Sequence, residues 1–217
     1  MKLRPSYDAD LDALSQALIH MGALAADAIA RTLTALKTGD RAMAQSVIDA
    51  DAEVDRAERD IEHRCLTLLL RQQPVAGDLR KVSTAIKMIT DIERVGDAAA
   101  DIAEIGLHMR DTNLPAALPH IEKMAETAQK MVEDAIRAYV DEDLQLAADV
   151  IQRDDEVDAG FNAVKGEIAQ LLSKDIDDAV DCLMIAKYLE RLGDHAVNIC
   201  EWVQFYKTGV HKNEKIL

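Results

Sequence analysis

The chain has 217 residues, of which 49% are hydrophobic, 30% charged and only 3% aromatic. Its formal net charge of −15 repels nucleic acid and anionic lipid headgroups and favours cations or a basic protein surface. Abundant Ala, Leu, Ile, Asp and Glu with little Gly or Pro is the composition of long helices, so the expected fold class is all-α.

The first helix is expected from about Ser6, after Pro5, to Thr38. Leu11, Leu14, Leu18, Met21, Leu24 or Ala25, Ala28 or Ile29, Thr32 or Leu33, and Leu36 recur in it at helical spacing. Gly39-Asp40 stops it and starts a second helix running to about Arg71. The apolar row of that helix is Met43, Val47, Val54, Ile61, Cys65 and Leu68, and Asp51, Asp55, Glu58 and Glu62 form a separate acidic row. Pro74 suits the first turn of a third helix, from about Val75 to Arg110. Asp111 to Pro115 is a linker by its turn residues and proline. Three further helices are expected over about 115–139, 143–172 and 177–206, followed by a polar, frayed tail from Thr208 to Leu217.

The second three helices repeat the first three. Glu93-Arg94-Val95-Gly96-Asp97 returns as Glu190-Arg191-Leu192-Gly193-Asp194, and residues 47–55 return as 150–158. Helices near thirty residues are about 45 Å long, and short connections make sequential neighbours antiparallel. The architecture expected is two tandem, pseudo-twofold-related three-helix bundles, residues 1–111 and 115–207.

In the third helix Glu93, Asp97, Asp101, Glu104 and His108 fall in an arc of roughly 80°, opposite the apolar stripe. An acidic row on one helix reads most simply as a solvated face. Like charges four residues apart repel by a few tenths of a kcal/mol, however, and this unfavourable spacing is duplicated. If neighbouring helices pair, Asp51, Asp55, Glu93, Asp97 and Asp101 converge in one half. Asp154, Asp158, Glu190, Asp194 and Asn198 converge in the other. Oxygen donors of this kind suit divalent or transition cations such as Mg²⁺, Mn²⁺, iron or zinc, and crowding them should raise their pKa values. Asp101 in place of Asn198, and Ala98 in place of His195, make the two candidate sites differ in charge.

Other residues have plainer readings. Arg94 and Arg191 are expected in ion pairs with neighbouring carboxylates, and Gly96 and Gly193 at close helix contacts. His108 and His195 are read as surface or interface histidines, with metal ligation the alternative; Asp78 to Arg80 reads as a helix-start pair, and Trp202, Phe205 and Tyr206 as core closure, with a partner patch the alternative. Cys65, Cys182 and Cys200 form no CxxC pair, so disulfides and thiolate zinc sites are not expected. The N-terminus lacks the apolar run of a signal peptide. No stretch approaches eighteen uninterrupted apolar residues, so no membrane-spanning segment is expected and a cytoplasmic location is. No Walker loop, GxGxxG, Gly-x-Ser-x-Gly or His-Glu-x-x-His occurs, nor the paired Glu-x-x-His of a di-iron bundle.

Residues 190–199, and Asp78-Leu79-Arg80 leading into residues 92–97, resemble the signature of the PhoU family of phosphate-transport accessory proteins. The resemblance runs from the first helix to about Tyr206. It implies two three-helix bundles, a homodimer, and a cytoplasmic negative regulator of phosphate uptake and of the phosphate-starvation regulon. The partners it implies are the ATPase subunit of a phosphate ABC transporter and a sensor histidine kinase. It also implies metal binding through the repeated acidic motifs and no enzymatic activity. The alternative on the residues alone is a metal-dependent, phosphatase-like hydrolase using the carboxylate clusters.

Overall fold

The computed structural model of the chain describes residues 5–72, 74, 77–109, 118–171, 176–212 and 214–215. Six helices account for nearly all of it: α1 (Pro5–Thr38), α2 (Arg41–Gln72), α3 (Gly77–His108), α4 (Leu118–Asp141), α5 (Leu144–Leu171) and α6 (Ile176–Thr208). Two short strands, β1 (Val210–His211) and β2 (Glu214–Lys215), pair antiparallel. Each helix lies within three residues of its expected bounds. The expected linker at Asp111 to Pro115 lies outside the described residues.

The turns that end α1 and α4 show why the helices stop where they do. Gly39 and Glu142 both take left-handed backbone, at φ 67° and 56°. The next amide closes each helix: Asp40 N–H donates to Ala35 O (3.2 Å) and Asp143 N–H to Ala138 O (2.9 Å). Asp40 and Asp143 then cap the following helices, accepting from the Met43 and Leu146 amides at 3.0 Å. Glycine meets the left-handed requirement freely at the first turn. Glu142 meets it at the second because its carboxylate is held from across the bundle, by Tyr206 Oη at 2.6 Å and Lys207 Nζ at 2.5 Å.

The long helices pack as two triplets with a shared core. α1 lies on α2 and α3, α4 lies on α5 and α6, and the triplets join where α3 meets α6 and α1 meets α4. Helices α2, α3, α6 and α5 therefore stand side by side in that order, and α1 and α4 cover one face of the row. The main apolar core runs through all six helices, from Leu14 and Leu18 in α1 to Ile199 and Val203 in α6, with a small second cluster at Ala35, Ala44, Val47 and Ala103. By length and composition α1 could cross a membrane, but Leu14, Leu18, Met21 and Ala25 are fully buried in this core. The three cysteines are free and buried, and burial pushes the Cys65 and Cys200 thiols up to about 12, as for inert core residues.

One buried carboxylate was not foreseen. Asp134 of α4 is 3% exposed and meets Arg153 of α5 at 2.9 Å, Lys130 at 3.1 Å and Arg137 at 3.3 Å. Burial alone would raise its pKa. The hydrogen bonds from Lys130 and Arg153 outweigh that and hold it below the ordinary aspartate value.

Two sequence expectations are corrected. The polar tail is not frayed where it is described, since β1 and β2 form a hairpin whose His211 ring stacks on Trp202 at 3.8 Å between centroids. Nor is Asp78 to Arg80 only a local helix-start pair. Arg80 Nε donates 2.9 Å to the Tyr206 carbonyl, capping the last turn of α6 from 126 residues away. Phe205 is buried, and Trp202 and Tyr206 pack on the core, as expected for closure residues.

Candidate metal centres

The acidic rows lie on the face of the α2-α3-α6-α5 row away from α1 and α4. In the first half, Asp51 and Asp55 of α2 and Asp97 of α3 bring one carboxylate oxygen each within 4.8 Å of one another. A glycine makes that approach possible. A Cβ on Gly96 would stand 3.1 Å from both Asp51 Oδ1 and Val54 Cγ1, so any larger residue would push α2 and its carboxylate away. Burial, then the charges of Asp97, Asp55 and Asp101, raise the pKa of Asp51. Glu93 sits at the edge of the group; burial first, then Asp97, raises its pKa against the pull of Arg94.

In the second half the helices approach more tightly, but among the described residues it is only in the first half that three carboxylates bring oxygens within 4.8 Å of one another. A Cβ on Gly193 would stand 2.6 Å from Asp154 Oδ1. That oxygen is sealed from solvent and has no hydrogen-bond partner among the described residues. Burial, followed by the charges of Asp158, Asp194 and Glu190, pushes the Asp154 carboxyl up to about 6. Asp194 is also raised, by burial and by Glu190, with Lys187 and His195 opposing. A buried acceptor without a donor, in the field of three further carboxylates, is what a cation would satisfy.

Compensation by the chain's own cations is partial. Arg94 reaches Asp97 at 2.8 Å and Glu93 at 3.3 Å, and Arg59 reaches Asp55 at 3.6 Å. Lys187 pairs with Glu190. Arg94 is thus the expected ion-pair residue. Arg191 instead lies over the Tyr188 ring, 5.9 Å from its centroid. The basic members of these pairs, Arg94, Arg59 and Lys187, are exposed, so the contacts carry little energy. The donor sets fit a hard or borderline divalent ion: oxygen only, several carboxylates, no thiolate. Bound there, such an ion would neutralise the crowded charge and draw α2 to α3, or α5 to α6.

Asn198 and Asp101 also take part in the contact between α3 and α6. Asn198 Nδ2 donates to Asp91 Oδ1 (3.2 Å), and His195 Nδ1 lies 2.9 Å from the same oxygen. Asn198 thus ties α6 to α3 through its amide nitrogen, which leaves its carbonyl oxygen as the atom that could face a cation. Asp101, its counterpart, is hydrogen-bonded to Tyr188 of α6 while its charge still acts on Asp51. Asp91 and Tyr188 occupy equivalent repeat positions, so each seam contact is the pseudo-twofold image of the other with different chemistry. Sequence reasoning missed Asp91. The available signal was that a polar residue changes type between repeats at a position facing the twofold.

Comparison with known proteins bears on the family and the fold. The profile of the PhoU domain family matches residues 18–106 and 121–203. The phosphate-specific transport system accessory protein PhoU homolog of Clostridium acetobutylicum is 34% identical over 210 residues, covering 95% of this chain and 96% of its own. The homolog from Caulobacter vibrioides is 35% identical over 208 residues, covering 94% and 90%. Among solved structures, PhoU from Pseudomonas aeruginosa superposes with a TM-score of 0.88 at 30% identity, covering 94% of this chain and 100% of its own. The phosphate transport system regulatory protein PhoU from Streptococcus pneumoniae does so with a TM-score of 0.88 at 29% identity, over 94% and 98%.

Proposed function

Since the chain belongs to the PhoU family, we propose that it is an accessory regulator of phosphate transport, acting through contacts and not catalysis. The observation that carries this is the similarity of the whole chain, both repeats included, to relatives named as phosphate-specific transport system accessory proteins. In this reading the chain works in the cytoplasm as a homodimer. It couples the ATPase subunit of a phosphate ABC transporter to a sensor histidine kinase, and it holds uptake and the starvation regulon down when phosphate is plentiful.

The acidic groups give that role a physical handle. Without a cation, the Asp51 and Asp154 groups strain the outer face of the bundle, and with one they stiffen it. A face whose order depends on bound cation is a surface on which partner affinity can be set. The test is deletion of the gene followed by growth in phosphate-rich medium. Starvation genes should be derepressed, and the wild-type chain should restore repression. Unchanged expression in the deletion strain contradicts the reading.

A further inference from the structure

The pseudo-twofold axis also relates the two ends of the α1–α4 contact, and they are finished differently. The repeat offset of 103 residues that carries Asp51 to Asp154 also carries Lys37 to Val140, and Ile19 and Ala23 to Glu122 and Glu126. At one end the contact is sealed by charge. Lys37 of α1 reaches Glu122 and Glu126 of α4 at 3.4 and 3.9 Å. At the other end all three positions are apolar. There Ile19 and Ala23 of α1 line a groove of about 270 Å³ with Ile136 and Val140 of α4. Its floor is tight, since a Cβ on Gly22 would run into Ile136. The same exchange continues past the helix ends, where Arg41 is replaced by Leu144, which is 37% exposed.

The groove lies in continuously described chain, from Pro5 to Gln72 on one side and from Leu118 to Leu171 on the other. Ile19 stands about 21 Å along α1 from Pro5, and Val140 about 33 Å along α4 from Leu118. Among the described residues only α1 and α4 line it, and Ile19 and Ala23 are exposed. An exposed apolar patch with a polar rim marks a protein–protein contact. The rim here is Glu133 and Arg137, both exposed and one turn apart on α4. Their equivalents beside the sealed end are the neutral Ala30 and Thr34, so charge and apolar surface have exchanged places between the two ends. Contacts within the chain, Arg137 to Asp134 at 3.3 Å and Glu133 to Gln129 at 3.0 Å, leave both rim side chains in solvent. An acid and a base one turn apart make the rim its own complement. A twofold that sets α4 antiparallel to α4 of a second copy brings each Glu133 opposite the other copy's Arg137. The rim carries no net charge, so two chains of −15 each can meet there without like charges facing across the contact.

We propose that the Ile19–Ala23–Val140 groove is the face through which two copies of this chain associate, with the apolar strips packed together and Glu133 paired with Arg137 across the twofold. The proposal rests on the homodimer reading above and gives it a surface; the assignment to phosphate transport does not enter.

The test is sedimentation equilibrium of the full chain over a dilution series. The wild type should be a dimer. Ile19→Glu combined with Val140→Lys rebuilds at the open end the ion pair that already seals the other end. Helicity by circular dichroism should therefore be kept while the dimer dissociation constant rises at least a hundredfold. Glu133→Arg changes an exposed residue and sets arginine against arginine across the twofold, so it should weaken the dimer at least tenfold. If either variant dimerises as tightly as the wild type, the interface lies elsewhere; the proposal is then overturned and the homodimer reading stands. A monomeric wild type overturns both.

Discussion

Replacing Asp154 by asparagine should stabilise the metal-free protein near neutral pH, although it alters a residue of the candidate site. An ordinary aspartate titrates near 3.8, and Asp154 near 6. That gap corresponds to at most about 3 kcal/mol of disfavoured ionisation. The group is partly open to water, so screening leaves about 1 kcal/mol. In a chain of this size 1 kcal/mol moves the melting temperature by about 2–4 °C. The sign follows from the raised pKa. The folded state holds the proton more tightly than the unfolded chain, so the strain is absent below the ordinary value. It grows as pH rises from 3.8 towards 6 and is complete above that. Asparagine cannot ionise, and Oδ1 loses no hydrogen bond because it has none among the described residues. Thermal unfolding in chelator should therefore show the variant ahead by about 3 °C near neutral pH and level with wild type below about pH 4. A variant that is less stable near neutral pH, or whose advantage is the same at both, refutes the account of the second site.

Three further outcomes are expected. Asp134→Ala removes the partner of Arg153 and should cost about 3 kcal/mol near neutral pH, read as a lower urea midpoint. Because the Asp134 pKa is depressed, its contribution is present above the unfolded value and is lost as pH falls through the folded one, so the deficit should shrink in acid. Gly193→Ala places a methyl where Asp154 Oδ1 now stands at 2.6 Å and should weaken Mn²⁺ binding in the second half by roughly tenfold or more, about 1.4 kcal/mol. Gly96→Ala should do less, the contacts there being 3.1 Å. Asp101→Asn should weaken cation binding in the first half without moving the second, since its charge acts on Asp51; calorimetry of the full chain, with the other site disabled by Asp97→Ala or Asp194→Ala, separates these effects.

The helices were legible in the sequence because their signals are local. Apolar residues at three and four, Asp40 and Asp143 after left-handed turns, and scarce Gly and Pro sufficed to place all six. Duplication of residues 47–55 and 93–97 made the pairing of α2 with α3 and of α5 with α6 an inference from symmetry, and Asp51, Asp55 and Asp97 do meet. What the sequence concealed depends on the third dimension. Arg80 reaches the end of α6, Asp91 collects His195 and Asn198, and Asp134 gathers Arg153, and no spacing rule foretells such contacts between distant helices. The hairpin escaped notice because Val210 to Lys215 is too short and polar to carry a strand pattern. It exists because Trp202 gives His211 a surface to lie on.

The central claim is that the duplicated carboxylate groups are cation sites, one in each half. Its most direct measurement is calorimetric titration of Mn²⁺ into metal-free wild type, Asp97→Ala and Asp194→Ala. The account predicts uptake in both halves of the wild type, with each substitution abolishing or weakening the uptake of its own half and sparing the other. Absence of uptake by the wild type, or uptake that neither substitution weakens, would contradict it.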